Sequence, residues 1–284
     1  MAKTKKVRPV VIAFTSDQHC GGTTALAPDT IDLDDGGHYV ASKPQRWLRQ
    51  CWGDYWGRVD EHRKALDADL YGVFGGDLVE GDHHRTTQIL SGNLNAQAAV
   101  VDAVMAVPLA LNPDRLFFVR GTEAHVGNSA STEERIATGL RKDHRPVVGD
   151  PESGKASWWH LRMEVHGKLI DVTHHGRTGQ REHTRGGAAV LHAHDILLSH
   201  VKRKERYPDL CLRAHYHRFN DSYDACPVRV VTSGAWQLKT SHVYKVAADS
   251  MADIGGLIVT IHPSGRYEVD PVGFTAARGP VWRA

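Results

Sequence analysis

"VRPVVIAFTSDQH", residues 7–19, is the stretch whose reading decides the fold. Its apolar, β-branched run over 7–14 has the length of a buried strand, and it stops at a polar turn carrying Asp17 and His19. The same order recurs along the chain. "ADLYGVFGGD" (68–77) runs into Asp77, and "DRLFFVRG" (114–121) runs into Glu123 and His125. "ASWWHLRMEVHGKLIDVTHHG" (156–176) reads as a hairpin with "HGK" at its turn, ending at His174 and His175. "DLCLRAHYH" (209–217) ends on His215 and His217, and "VRVVTSGAW" and "GGLIVTIHPSGRYEV" supply further strands.

Helical stretches alternate with these runs. "KPQRWLRQCWGDYWGRVDEHRKALD" (43–67) has Pro44 in its first turn and Trp47, Leu48, Trp52, Tyr55, Trp56 and Val59 at helical spacing, a stripe that reads as core packing. "NAQAAVVDAVMAVPLAL" (95–111) is a mostly apolar helix disturbed or ended by Pro108. In "STEERIATGLRKD" Ser131 and Glu134 have the spacing of a capping box, and "GGAAVLHAHDILLSHVKRK" is a further helix. The polar segment 20–43 reads as a long loop. No repeat or linker divides the chain, so 1–284 is expected to form one α/β domain of mixed sheets, with 17–217 carrying the site and 218–284 closing strands and tail.

Composition narrows the function classes. Hydrophobic residues make up 41% and charged residues 24%, and no apolar run reaches the roughly 18 residues of a membrane span. The basic start "MAKTKKVRPVVIAF" has too short an apolar run for a signal peptide, which gives a cytoplasmic reading. Four cysteines without CxxC spacing point to reduced thiols. A net charge of +2 argues against a strongly basic nucleic-acid binder, and "VKRKERY" (201–207) reads as a solvated cluster. Histidine is the oddity: 19 residues, several paired or two apart, make a transition-metal site a reasonable expectation beside the plainer one of a histidine-rich surface.

Each polar set stands just past the carboxyl end of a hydrophobic run, the edge at which α/β sheets build their sites, so five distant segments are expected to converge. The blocks "SDQHCGG", "GGDLVEGDHH", "VRGTEAHVG", "VTHHGR" and "RAHYHRF" together resemble the calcineurin-like metallophosphoesterases, whose pattern is DxH, GDxx(D/E), GN(H/D), H before Gly, and GHxH. The tail "DIGGLIVTIH" and the whole pattern also resemble phage-encoded members.

The resemblance implies a four-layer αββα sandwich of two mixed sheets flanked by helices. It implies two divalent cations, manganese foremost with iron, zinc or nickel as alternatives, held by Asp17, His19 and His217 on one side, His175 and His215 on the other, and Asp77 between them. A two-metal-activated hydroxide would then attack phosphorus, and His125 would serve the leaving oxygen. His175, directly before Gly176, is the expected ligand, and strand alternation would turn His174 away. Glu80 fits the acidic position that orients a histidine ligand.

"VRGTEAHVG" departs from the pattern: Thr122 stands where the family has Asn, and the histidine comes two residues late. Glu123 offers a replacement carboxylate ligand. Arg177, Arg181 and Arg185 recur every four residues and would line one side of a helix as a phosphate clamp, or form a solvated basic turn. His84, like His83, would contact substrate or lie on the surface. The expected substrate is a phosphodiester of a nucleotide or nucleic acid, with a phosphomonoester or a non-catalytic scaffold as the competing readings.

Overall fold

In a computed structural model, the described residues are 7–33, 36–83, 86–177, 179, 182–279 and 281–283. In chain order the elements are β1 (Val10–Thr15), β2 (Thr30–Asp32), β3 (His38–Val40), α1 (Lys43–Leu66), β4 (Asp69–Phe74), α2 (Leu94–Ala110), β5 (Arg115–Phe118), α3 (Glu123–Val126) and α4 (Ser131–Lys142). There follow β6 (Leu161–Val165), β7 (Lys168–His175), α5 (Arg185–Arg203), β8 (Leu210–Ala214), β9 (Asn220–Asp221), β10 (Arg229–Thr232), α6 (Ser241–Val246), β11 (Ile254–Ile261) and β12 (Tyr267–Phe274).

Two five-stranded sheets have the orders β12-β11-β1-β4-β5 and β6-β7-β8-β10-β9. In the first, β1, β4 and β5 are parallel and β11 and β12 antiparallel. In the second, β7, β8 and β10 are parallel between antiparallel edges. Both are therefore mixed, and in both it is the parallel strands that run toward the polar turns.

The layers follow from where the apolar faces meet. Ile12, Phe14, Val73, Phe117 and Val259 of the first sheet pack with Leu161, Val172, Leu212 and Val231 of the second. Outside the first sheet, Trp52, Tyr55 and Trp56 of α1 join Val101 of α2, Ile136 of α4, Phe74 and Trp236. Ala193, Ile196 and Leu197 of α5 cover Cys211 and Val230 on the other side. The order is helices, sheet, sheet, helix, the αββα sandwich that was expected.

Local chemistry sets the ends. Ser42 and Gln45 form a reciprocal capping box at α1 with Pro44 in its first turn. The β6–β7 turn has His166 and Gly167 both at positive φ, 48° and 78°, as a two-residue hairpin of this hand requires. Three expectations change. Ser131 does not cap α4, whose N-cap is the left-handed Ala130; Glu134 instead accepts from the backbone N–H groups of Ala156 and Ser157 at 3.1 and 2.9 Å. Pro108 does not end α2, because it falls in the final turn, which continues to Ala110. Segment 20–43 is not a plain loop: β2 and β3 pair within it, and Gln45 Nε2 fixes its start by donating to the carbonyls of Gly22 and Ala25 at 3.1 and 3.2 Å.

No described helix is long and apolar enough to cross a membrane.

Candidate metal centre

The carboxyl ends of β1, β4 and β5 meet those of β7 and β8. Asp17, His19, Asp77, His215 and His217 all adopt positive φ, between 47° and 77°, a conformation that costs a non-glycine residue free energy and gathers at functional sites. Backbone bonds hold the turns: Asp17 N–H donates to the Gly76 carbonyl at 2.9 Å and His19 N–H to that of Asp77 at 3.0 Å. Gly121 is needed by proximity alone, since a Cβ there would lie 2.2 Å from Asp77 Oδ1 and 2.3 Å from Asp77 N.

Two buried carboxylates stand at the centre. Asp77 Oδ1 accepts from Thr122 N–H at 2.6 Å, and its Oδ2 faces His174 Nε2 at 3.0 Å. Asp17 Oδ2 accepts from His215 N–H at 3.1 Å. Asp17 Oδ1, by contrast, is buried without a hydrogen-bond partner, although His217, His19 and His174 each turn Nε2 toward it at 3.4, 3.8 and 4.0 Å. His19 Nε2 also faces His217 Nε2 at 3.1 Å. A buried anionic oxygen ringed by imidazole nitrogens is a donor set in want of a cation.

The electrostatics agree. Burial alone would push the His174 and His19 imidazoles down, yet Asp77 and Asp17 raise His174 to about 10, while Glu80, Asp77 and Asp17 raise His19 to about 9. Burial likewise opposes ionisation of Asp17 and Asp77, but their histidine neighbours hold both well below the usual carboxylate range. The pocket thus favours positive charge, as protons or as a metal.

Donors within 4.8 Å of one another group as His174, His175 and His215; as Asp17, His19 and His217; as His19, Asp77 and His125; as Asp17, Asp77 and His174; and as Glu80, His83 and His125. Of the residues expected from the sequence, Asp17, His19, Asp77, His125, His175, His215, His217 and Glu80 are therefore together. Mixed nitrogen and oxygen donors of this kind fit manganese, iron, zinc or nickel better than an all-oxygen magnesium cage.

Two placements correct the sequence reading. His174 is not turned away: β7 has a register irregularity between Val172 and His175, which breaks alternation, and the His174 and His175 rings lie 4.9 Å apart at the same site. Glu123, expected as a replacement ligand, is exposed, and its Oε1 accepts from Ser129 N–H at 2.9 Å. It opens the one-turn α3, so its carboxylate caps the next turn. Thr122 holds the vacant corner, its hydroxyl 3.2 Å from His215 Nδ1 and 3.4 Å from His175 Nε2.

The orienting groups are equally specific. Glu80 Oε2 stands 3.0 Å from His19 Nδ1 and accepts from Gln237 Nε2 at 2.6 Å. His174 Nδ1 donates to the Gly75 carbonyl at 2.7 Å, and His125 Nδ1 to that of Glu80 at 2.8 Å. The two carbonyl bonds place a proton on Nδ1 of His174 and His125 and aim Nε2 at the centre, where it would be free to meet a metal once deprotonated. Burial, then His19, lowers His125 to about 4.

Glu133 and Gln237 went unnoticed in the sequence. Fully buried Glu133 accepts from Gly121 N–H at 2.6 Å and from Leu78 N–H at 3.3 Å, clamping the two turns beside Asp77. Burial and Asp77 push its carboxyl up to about 8. A signal existed: Glu133 lies on the helical stripe with Ile136, Ala137 and Leu140, the buried face of α4.

The arginine clamp does not form as a helical row. Arg177 precedes α5 and pairs with Asp195, while Arg185 opens α5 and pairs with Asp253. Arg181 and His84 lie outside the described residues. His83 stacks edge-on against His125 with ring centroids 4.1 Å apart.

The sequence matches no protein-family model and no curated protein. Similar solved structures include the Thermus thermophilus sulfate thiohydrolase SoxB, at 10% identity and TM-score 0.44, aligned over 95% of this chain and 58% of that one. A Danio rerio dimetal phosphatase aligns at 11% identity and TM-score 0.39 over 94% of this chain and 99% of its own. A Candida albicans 5'-nucleotidase aligns at 9% identity and TM-score 0.39 over 96% and 53%. The chain thus spans little more than half the length of the first and third. Likenesses this distant leave the functional reading to the geometry of the site itself.

Proposed function

We propose that this chain is a metal-dependent phosphoesterase that holds two divalent cations and cleaves a phosphodiester of a nucleotide or nucleic acid. The observation that carries the proposal is the partnerless Asp17 Oδ1 beside Asp77, with imidazoles converging on both carboxylates from the strand ends of β1, β5, β7 and β8. Asp17, His19 and His217 would hold one cation, His174 and His215 the other, and Asp77 would lie between them. Two such ions neutralise phosphate charge and supply an activated water at neutral pH.

The chain's own residues do the remaining work. Glu80 and the Gly75 carbonyl orient the imidazoles of His19 and His174. His125 is assigned the proton-handling role at the leaving oxygen: the Glu80 carbonyl anchors Nδ1 and leaves Nε2 to meet the substrate. The diester preference rests on the resemblance set out above.

The test is hydrolysis of a chromogenic bis-phosphodiester and its monoester counterpart with manganese added. The expected result is metal-dependent turnover, faster on the diester. A monoester turned over faster overturns the diester preference, and no turnover on any phosphoester, DNA and RNA included, overturns the enzyme.

A further inference from the structure

The two cation positions differ in chemistry and in access. Beside Asp77, the first is built from Asp17, His19 and His217, and Asp17 and His19 are at most 1% exposed. The second has His174 and His215, and His175 lies with them, all three offering nitrogens within 4.8 Å of one another. His175 is the exposed member, its ring centroid 4.5 Å from that of His215. Consecutive residues of a regular strand would face opposite ways, and the irregularity in β7 is what brings both to one place. No carboxylate from the neighbouring turn completes this corner, because Glu123 is spent on Ser129 N–H. The Thr122 hydroxyl reaches both rings, 3.4 Å from His175 Nε2 and 3.2 Å from His215 Nδ1.

We propose that His174 and His175 both ligate one cation together with His215, making the second position an imidazole-built, exchangeable site that prefers zinc or nickel, unlike the buried, carboxylate-richer first position. This inference rests on the two-cation reading above. Three imidazoles favour the later, borderline metals, whereas added carboxylate suits manganese. The exposed His175 opens the wider exchange path to the second ion, whereas the first has two fully buried ligands and only His217, its side chain 23% exposed, near solvent.

The test is metal binding by the full chain, measured by equilibrium dialysis and elemental analysis, independent of turnover. Wild-type protein saturated with manganese should release one equivalent when zinc is added in small excess and retain the other. His175→Ala should bind that zinc at least about 10-fold more weakly, a lost ligand costing no less than the roughly 10–100-fold of a lost orienting partner, with the tighter equivalent and the melting temperature of the metal-free protein unchanged. His174→Ala should weaken the same equivalent. If His175→Ala binds both equivalents as wild type does, the inference is overturned while the two-cation reading stands. If wild type binds fewer than two, both fall together.

Discussion

Strands β7 and β8 carry two buried charged clusters a few residues apart, and only one of them is complete. In the first, Asp171 Oδ1 accepts from Arg213 Nη2 and its Oδ2 meets His160 Nε2, both at 2.6 Å, while Arg213 Nη1 donates to the carbonyls of Asp171 and Leu212 at 2.9 Å. In the second, at the ends of the same strands, His174, His175 and His215 face carboxylates among which Asp17 Oδ1 has no partner. The closed cluster holds the sheet together with what the chain itself provides. The open one leaves a buried carboxylate oxygen unmatched, and its imidazoles and carboxylates are a donor set that could hold a cation.

The comparison can be broken from either side. The largest effect is expected from Asp77→Asn, which removes the charge that the proposed two positions would share: at least one metal equivalent should be lost and turnover abolished, read by elemental analysis and diester hydrolysis. Arg213→Met should do the reverse, leaving metal content intact while destabilising the fold by about 3–5 kcal/mol in urea unfolding, because Asp171 is left buried with its main charge partner gone.

That cluster also sets a pH response. Burial works against ionisation of Asp171, but His160 and Arg213 prevail and hold it at about 2, below the roughly 3.9 of an unfolded chain. Its folded pKa is depressed, so its stabilisation is complete above about pH 3.9 and is lost as the pH falls toward about 2. Urea titrations across that window should show the loss in wild type and a smaller one in Arg213→Met.

Two milder substitutions sharpen the boundary of the open cluster. Glu133→Gln keeps the shape but offers one acceptor to two N–H donors, so metal affinity should fall by about 10–100-fold with the protein still folded. Glu123→Ala should cost no more than about 1 kcal/mol, the scale of one hydrogen bond, and leave both metals in place. Loss of metal from Glu123→Ala would restore that residue as a ligand.

Much of this was legible in the sequence. The strand-end positions of Asp17, His19, Asp77, His215 and His217 follow from hydrophobic runs meeting polar turns; the order of runs gives a layered α/β domain, and the sandwich came with the resemblance those blocks carry. What escaped was backbone detail. A β-bulge leaves no mark on alternation, so His174 was expected on the wrong face. A side chain in a one-turn helix has no periodicity to place it, so Glu123 was expected inward. Glu133 was hidden by its neighbour Glu134, a second acid that invited a capping reading, although its apolar stripe gave it away.

The most direct test of the central claim is the metal content of the folded chain after equilibration with manganese, measured beside diester turnover before and after chelation. Two bound equivalents, with turnover that disappears on chelation and returns on metal addition, is the predicted result. Fewer than two equivalents in a folded protein, or turnover that survives removal of metal, would contradict it.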